Sequence, residues 1–454
     1  MSSRSFEVLE RTFLQRSNPY IMIKAFKLER FINNHHFQQI MLFCLFGYVL
    51  FKESNRYIGD IFQSCVVVGS LLAIYVYRKY FFQDKIFLSL IASIIVSILS
   101  WTNSIVSDPS LAKSSPNIGF LGNLFFFIMI AYWLKADLKN IRTFLFLFLI
   151  GLLMTLFTHS SDIVLDIYNG FNGERVDFNF INANHSAALA GCAILLASYY
   201  AIKKIKSNCS FKSKLLSVFL YLLITFPFIF IAIVTKARQV WLAIFLILIL
   251  YIGYEIIKGG SFKKKIAIIL SFLITISLVS KIPVIEERIN TESAVFSAIS
   301  TGQIDTLPYT SIGTRLHFWS EAIPWIKKYP ILGFGEDTRN LVIKESPNIP
   351  EKVKASFSHL HNGHIEILVS YGLLGFSLLM FVCVTLIKSA YSVRYFDQGE
   401  SYYLILIFIT YFIIINMFES FWLFKTGLYM FTIFCAAAYS LYLTSSIKRF
   451  YNEK

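Results

Sequence analysis

The chain reads as an all-α polytopic membrane protein with about twelve transmembrane helices. Three observations predict this. Of 454 residues, 56% are hydrophobic and 15% are charged, where a soluble domain carries about 25% charged residues. The charges cluster between apolar runs, and about 20 apolar residues suffice to span a bilayer as a helix. Lys and Arg also distribute unequally between alternate connections.

In chain order, residues 1–36 form a polar, basic tail with no cleavable signal, so the first apolar run is expected to act as an uncleaved anchor. Spans one to nine are expected at 37–52, 61–77, 86–102, 117–134, 143–158, 186–202, 215–235, 239–257 and 266–282. Only Lys236-Ala237-Arg238 divides the seventh from the eighth, which makes this pair a tight hairpin or a broken helix. A large loop over 283–362 follows. Spans ten to twelve are expected at 363–387, 402–418 and 426–445, before a short tail at 446–454. Within the loop, Leu316, Trp319, Ala322, Ile323 and Ile326 recur at helical period. This predicts an amphipathic helix over 314–328 on the membrane surface or capping the bundle, ended by Pro330 and the Gly333-Phe334-Gly335 turn.

Of the 42 Lys and Arg residues, 26 fall on the set of connections that includes both termini and 16 on the other set, nine of these in or beside the long loop. Long loops are largely exempt from the positive-inside bias, so both termini are expected in the cytoplasm. The outer side then holds two loops of substance, 159–185 and 283–362. The net charge of +15 is explained by cytoplasmic loops and lipid headgroups, not by nucleic acid, since no basic patch lies in a soluble domain. Five of six cysteines fall in apolar runs and Cys209 in a Lys-rich loop, so no disulfide is expected.

Three ionisable residues at the outer edge are candidates for chemistry. They are Arg238 at the mouth of span eight, Arg315 at the start of the loop helix and His361 at the start of span ten. Singly, each has a plainer reading: an arginine snorkelling to headgroups, an arginine paired with lipid or Glu321, a capping histidine. Together, two guanidiniums can hold a diphosphate by bidentate hydrogen bonds. The N-terminus of span ten adds N–H donors, and His361 can take a proton near neutral pH. Lys236, Trp319, Arg339, Asn184, His185 and Asn362 are secondary, substrate-side candidates, with Asn362 capping span ten or orienting His361. Gly372 and Gly375 read as close packing points. His359, His361 and His364 do not compel a metal site, because no Cys or paired carboxylate accompanies them in the sequence. No phosphate loop of the Gly-x-x-x-x-Gly-Lys type occurs, which argues against ATP use.

His361-Asn362, nine residues, then Gly372-Leu373-Leu374-Gly375 resembles the histidine motif of the O-antigen ligase and polymerase superfamily. Arg315-x-x-x-Trp319 followed by Pro330-x-x-Gly333-x-Gly335 resembles the stretch preceding it. Arg238 resembles an arginine near the start of a central span, with Gln239 where relatives often have Gly. The resemblance covers about 230–376. It implies a glycosyltransferase of the GT-C type in the bacterial inner membrane, acting at the periplasmic face, with Arg238, Arg315 and His361 essential. The donor would be O-antigen on undecaprenyl diphosphate and the acceptor a sugar hydroxyl of lipid A-core, with inversion and without metal or other cofactor. A polymerase joining repeat units, a protein-glycan transferase, and a lipid-glycan transporter are the alternatives. A transporter would place ionisable residues near the midplane to couple ions, whereas these candidates gather at one edge.

Overall fold

The computed structural model describes residues 27–258 and 307–452, with the isolated positions 266, 295, 297 and 300 between them. But for those positions, the expected ninth span and the first part of the long loop lie outside the described residues. So does most of the N-terminal tail.

The described residues form helices and connections, with no strand among them. In chain order these are α1 (His35–Phe51), α2 (Arg56–Val76), α3 (Lys85–Ser107), α4 (Phe127–Leu134), α5 (Leu138–His159) and α6 (Ile163–Phe171). Then follow α7 (Ala183–Lys206), α8 (Phe211–Val234), α9 (Arg238–Ile257), α10 (Ser311–Lys328), α11 (Thr338–Lys344) and α12 (Glu351–Ser356). The chain closes with α13 (Gly363–Ser392), α14 (Glu400–Asn416) and α15 (Lys425–Asn452). Eight of these are long and apolar enough to cross a membrane, which makes this a multi-pass membrane protein. Three of the expected spans, the first, fourth and eleventh, fall on shorter apolar helices. The expected span 117–134 is not one regular helix. It is a turn at Gly119–Gly122, a 3₁₀ segment at Asn123–Phe126 and then α4.

Local chemistry sets the starts. Asn34, Asp84, Asp137, Asn182 and Asn362 each accept first-turn N–H groups of α1, α3, α5, α7 and α13. Such caps satisfy donors that no intrahelical carbonyl reaches. The apolar faces then decide position. α15 is the central column, packing on α4, α5, α13 and α14, with Ala436, Ala437 and Ala438 buried where neighbours approach. α8 and α9 lie at the edge and turn Leu215, Phe219, Leu223, Phe226 and Leu250 outward. An apolar face of that size is stable against lipid tails rather than water. At one end of the bundle, buried Glu400 on α14 ties in Arg142 of α5 at 2.6 Å, and Lys203 and Tyr200 of α7.

Two breaks shape the opposite end. Between α8 and α9, Lys236 adopts φ 52°, so the pair forms a hairpin of two separate helices. α13 is interrupted at Gly372, at φ 61° and ψ −165°. The segment after Pro330 inserts there. Phe334 N–H donates to Val369 O at 2.9 Å and Gly335 N–H to Ser370 O at 2.9 Å, while Leu373 N–H donates back to Pro330 O at 2.8 Å. A Cβ on Gly372 would lie 2.3 Å from Ile331 backbone, and one on Gly333 2.4 Å from Ser370 backbone. Gly372 is thus a close packing point, as expected, but it receives a loop rather than a helix. The Gly333-x-Gly335 and Gly372 elements, 37 to 39 residues apart in the chain, are the two sides of one backbone junction.

Candidate functional site

α10 lies across the end of the bundle and packs on α13. Its apolar side buries Phe318 and Ala322 against Val342, Ile343, Leu360 and Val369. Its other side faces a cavity of about 720 Å³. Arg315 and Trp319, one turn apart, both line that cavity. The α8–α9 break supplies Lys236 and Arg238, the start of α7 supplies Asn184, and the approach to α13 supplies His361. The structure therefore gathers Arg238, Arg315, His361, Lys236, Trp319 and Asn184 from four separate stretches of chain around one space.

Arg175, not singled out from the sequence, also lines the cavity and donates from Nε to Thr235 O at 3.0 Å, next to Lys236. Four cations and no carboxylate line the cavity among the described residues; the rest of its wall is polar, amide or apolar, including Leu242, Leu316, Val353 and Phe418. Cations grouped in one wall can hold a phosphate by charge-assisted hydrogen bonds.

His361 takes the left-handed conformation, φ 51°, which is costly for a residue with a Cβ and is held here by its surroundings. Asn362 caps α13 through His364 and Ile365 N–H. Trp319 Nε1 donates to Leu360 O at 3.0 Å. Leu360 N–H donates to Glu366 Oε1 at 2.7 Å. These bonds fix the turn that aims the imidazole.

The principal residue that the sequence reading missed is Glu419, in the α14–α15 connection. Its carboxylate is fully buried. It accepts from Asn184 Nδ2 at 2.8 Å, His359 Nε2 at 3.1 Å and His361 Nδ1 at 3.2 Å. With Nδ1–H committed to the carboxylate, the lone pair of His361 is on Nε2. Burial lowers the His361 imidazole below its ordinary value, with Glu419 pulling the other way, so the ring is neutral near pH 7. Burial alone would raise Glu419, but the hydrogen bonds from His359 and His361 outweigh it and hold the carboxylate ionised. A carboxylate inside an apolar stretch is the signal that would have marked Glu419.

Three expected binding residues stand elsewhere. Arg339 pairs with buried Glu366 at 3.5 Å and lies over the Phe424 ring; its charge is drawn to a carboxylate that the sequence reading did not weigh. His185 is buried, with Nδ1 3.0 Å from Thr426 Oγ1 and its ring between Phe421 and Phe424. One residue on from Asn184, it faces about 100° around the helix, into the bundle. Asn362 does not line the cavity and serves as the cap. No Cys or paired carboxylate was expected beside the histidines; the fold brings one carboxylate, Glu419, to His359 and His361.

Residues 220–380 match the family model described as O-antigen ligase. The chain is also similar to an uncharacterised protein of Haemophilus influenzae, 30% identical over 217 residues, which is 44% of this chain and 48% of that protein. The match thus spans about half the length of that relative. Arg175, Asn184 and Glu419 lie outside the family segment, while Lys236, Arg238, Arg315, Trp319 and His361 lie within it. The segment 220–380, which carries most of the charged wall of the cavity, belongs to the O-antigen ligase family.

Proposed function

We propose that the chain is a glycosyltransferase that moves O-antigen polysaccharide from undecaprenyl diphosphate to a sugar hydroxyl of lipid A-core. The reading places it in the bacterial inner membrane, with the cavity open to the periplasm, both termini cytoplasmic and a GT-C-type arrangement of about twelve spans. One observation carries the reading: a cavity lined by four cations, with a carboxylate-anchored histidine at its edge.

The chemistry follows from those groups. The acceptor oxygen forms a bond to the anomeric carbon of the donor sugar, from the face opposite the leaving group. The bond from that carbon to the diphosphate oxygen breaks, and its electron pair leaves with the diphosphate. The hydroxyl proton passes to His361 Nε2 and from there to solvent. Arg238 and Arg315, with Lys236 and Arg175 beside them, neutralise the charge that grows on the leaving diphosphate. Such preorganised donors are worth about 3–4 kcal/mol each. Displacement from the opposite face inverts the anomeric centre. Neutralisation by guanidiniums leaves no step that needs a divalent cation, so EDTA-treated, purified protein should retain full transfer.

The test that separates this reading from its neighbours is the lipopolysaccharide of a deletion strain. Loss of a ligase leaves bare core while lipid-linked polymer accumulates. Core carrying a single repeat unit would instead identify a polymerase.

A further inference from the structure

Glu419 is a fully buried carboxylate whose bonded donors, apart from its neighbour Ser420 N–H, are Asn184, His359 and His361. None of those donors carries a permanent charge. His359 is not needed to aim His361, yet its ring lies with its centroid 4.0 Å from that of His361 and its Nε2 bonds the same oxygen, Oε1. The two imidazole nitrogens and one carboxylate oxygen all lie within 4.8 Å of one another. In a tetrahedral zinc site with bonds of about 2.0–2.1 Å, ligand atoms sit about 3.3–3.4 Å apart. The N···O separations of 3.1 and 3.2 Å are already close to that spacing. Asn184 Nδ2 holds the second carboxylate oxygen at 2.8 Å, as an orienting partner does in metal sites. His361 borders the cavity, which leaves an open side for a water as fourth ligand.

We propose that His359, His361 and Glu419 form a binding site for a borderline divalent ion, Zn²⁺ by preference, and that its occupation silences transfer. Two imidazoles and one carboxylate suit zinc and disfavour Mg²⁺ and Ca²⁺, which take oxygen ligands. The silencing follows from the tautomer. To coordinate through Nδ1, a neutral His361 must carry its proton on Nε2. The lone pair that receives the acceptor hydroxyl proton is then gone. His359 shifts its own proton from Nε2 to Nδ1, and no net proton is released. The binding half stands on geometry; the silencing half rests on His361 as the base.

The experiment titrates ZnCl₂ into the full chain, purified without a polyhistidine tag and held in lipid nanodiscs, by calorimetry with no donor present. One equivalent of Zn²⁺ should bind, and Mg²⁺ should not. His359→Gln and His359→Asn should each weaken zinc by about 100-fold, at or beyond the upper end of what losing an orienting partner costs. Absence of stoichiometric binding, or binding undiminished in a folded His359 variant, overturns the site. In the transfer assay, zinc should abolish turnover of wild type and EDTA should restore it. One equivalent bound with turnover unchanged overturns the silencing and turns against His361 as base, while leaving the site in place.

Discussion

His361 acquires its chemistry from a neighbour 58 positions later in the chain. The carboxylate fixes which nitrogen holds the proton, and burial keeps the ring neutral. The sign of the pH dependence follows. Protonation removes the lone pair on Nε2, so kcat/KM should fall on the acid side, with a midpoint below the ordinary imidazole value of about 6.5. Glu419 raises the affinity of His361 for its proton. Glu419→Gln should therefore lower the rate and also move the acid limb to lower pH. A purely architectural Glu419 would lower the rate and leave the limb in place. His361 and the arginines were legible because all three stand at the edges of apolar runs on one side of the membrane and fall in stretches that resemble one family's motifs. The Glu419 partnership was not, since nothing local links the α14–α15 connection to the start of α13.

The helix starts were easy to read, because Asn and Asp caps and polar gaps mark them locally. The interruption of α13 was not. Hydropathy runs unbroken through Tyr371-Gly372-Leu373, and only the backbone bonds to residues 330–335 reveal the break. Gly372→Ala would force a side chain into φ 61° and against Ile331 backbone at 2.3 Å. The conformation alone costs about 1–3 kcal/mol. We expect a lowered melting temperature in detergent and loss of transfer. Gly253→Ala on α9, where no atom of the described residues lies within 4 Å of the added Cβ, should lower neither. A Gly372→Ala protein that melts and works like wild type would remove the junction from the account. Arg339 belongs to the same lesson: its guanidinium is held by Glu366, which also anchors Leu360, so it supports the turn before His361 instead of binding substrate.

Across the bundle, α15 forms a buried column while α8 and α9 face outward beside the cavity. That places the cationic wall next to the lipid-facing edge, where the tail of the proposed lipid-diphosphate donor can remain in the bilayer while its diphosphate enters. Fold class was legible from composition and run length alone. The grouping of four cations was not, because it depends on how the loops around Arg175, Lys236 and Arg315 fold over the end of the bundle. The proposed orientation has its own check. In a cysteine-free background, Ser320→Cys on α10 should react with a membrane-impermeant maleimide in spheroplasts, and Ser213→Cys at the start of α8 should react only after lysis. The reverse pattern would invert the topology.

Transfer by reconstituted protein bears most directly on the cavity as a catalytic site. Wild type should move glycan from a lipid diphosphate to purified lipid A-core. His361→Ala should lose about 10²–10⁴-fold in kcat with donor binding retained, and Arg238→Ala or Arg315→Ala about 10²–10³-fold with donor binding weakened. Transfer at wild-type rate by folded His361→Ala protein would contradict the account.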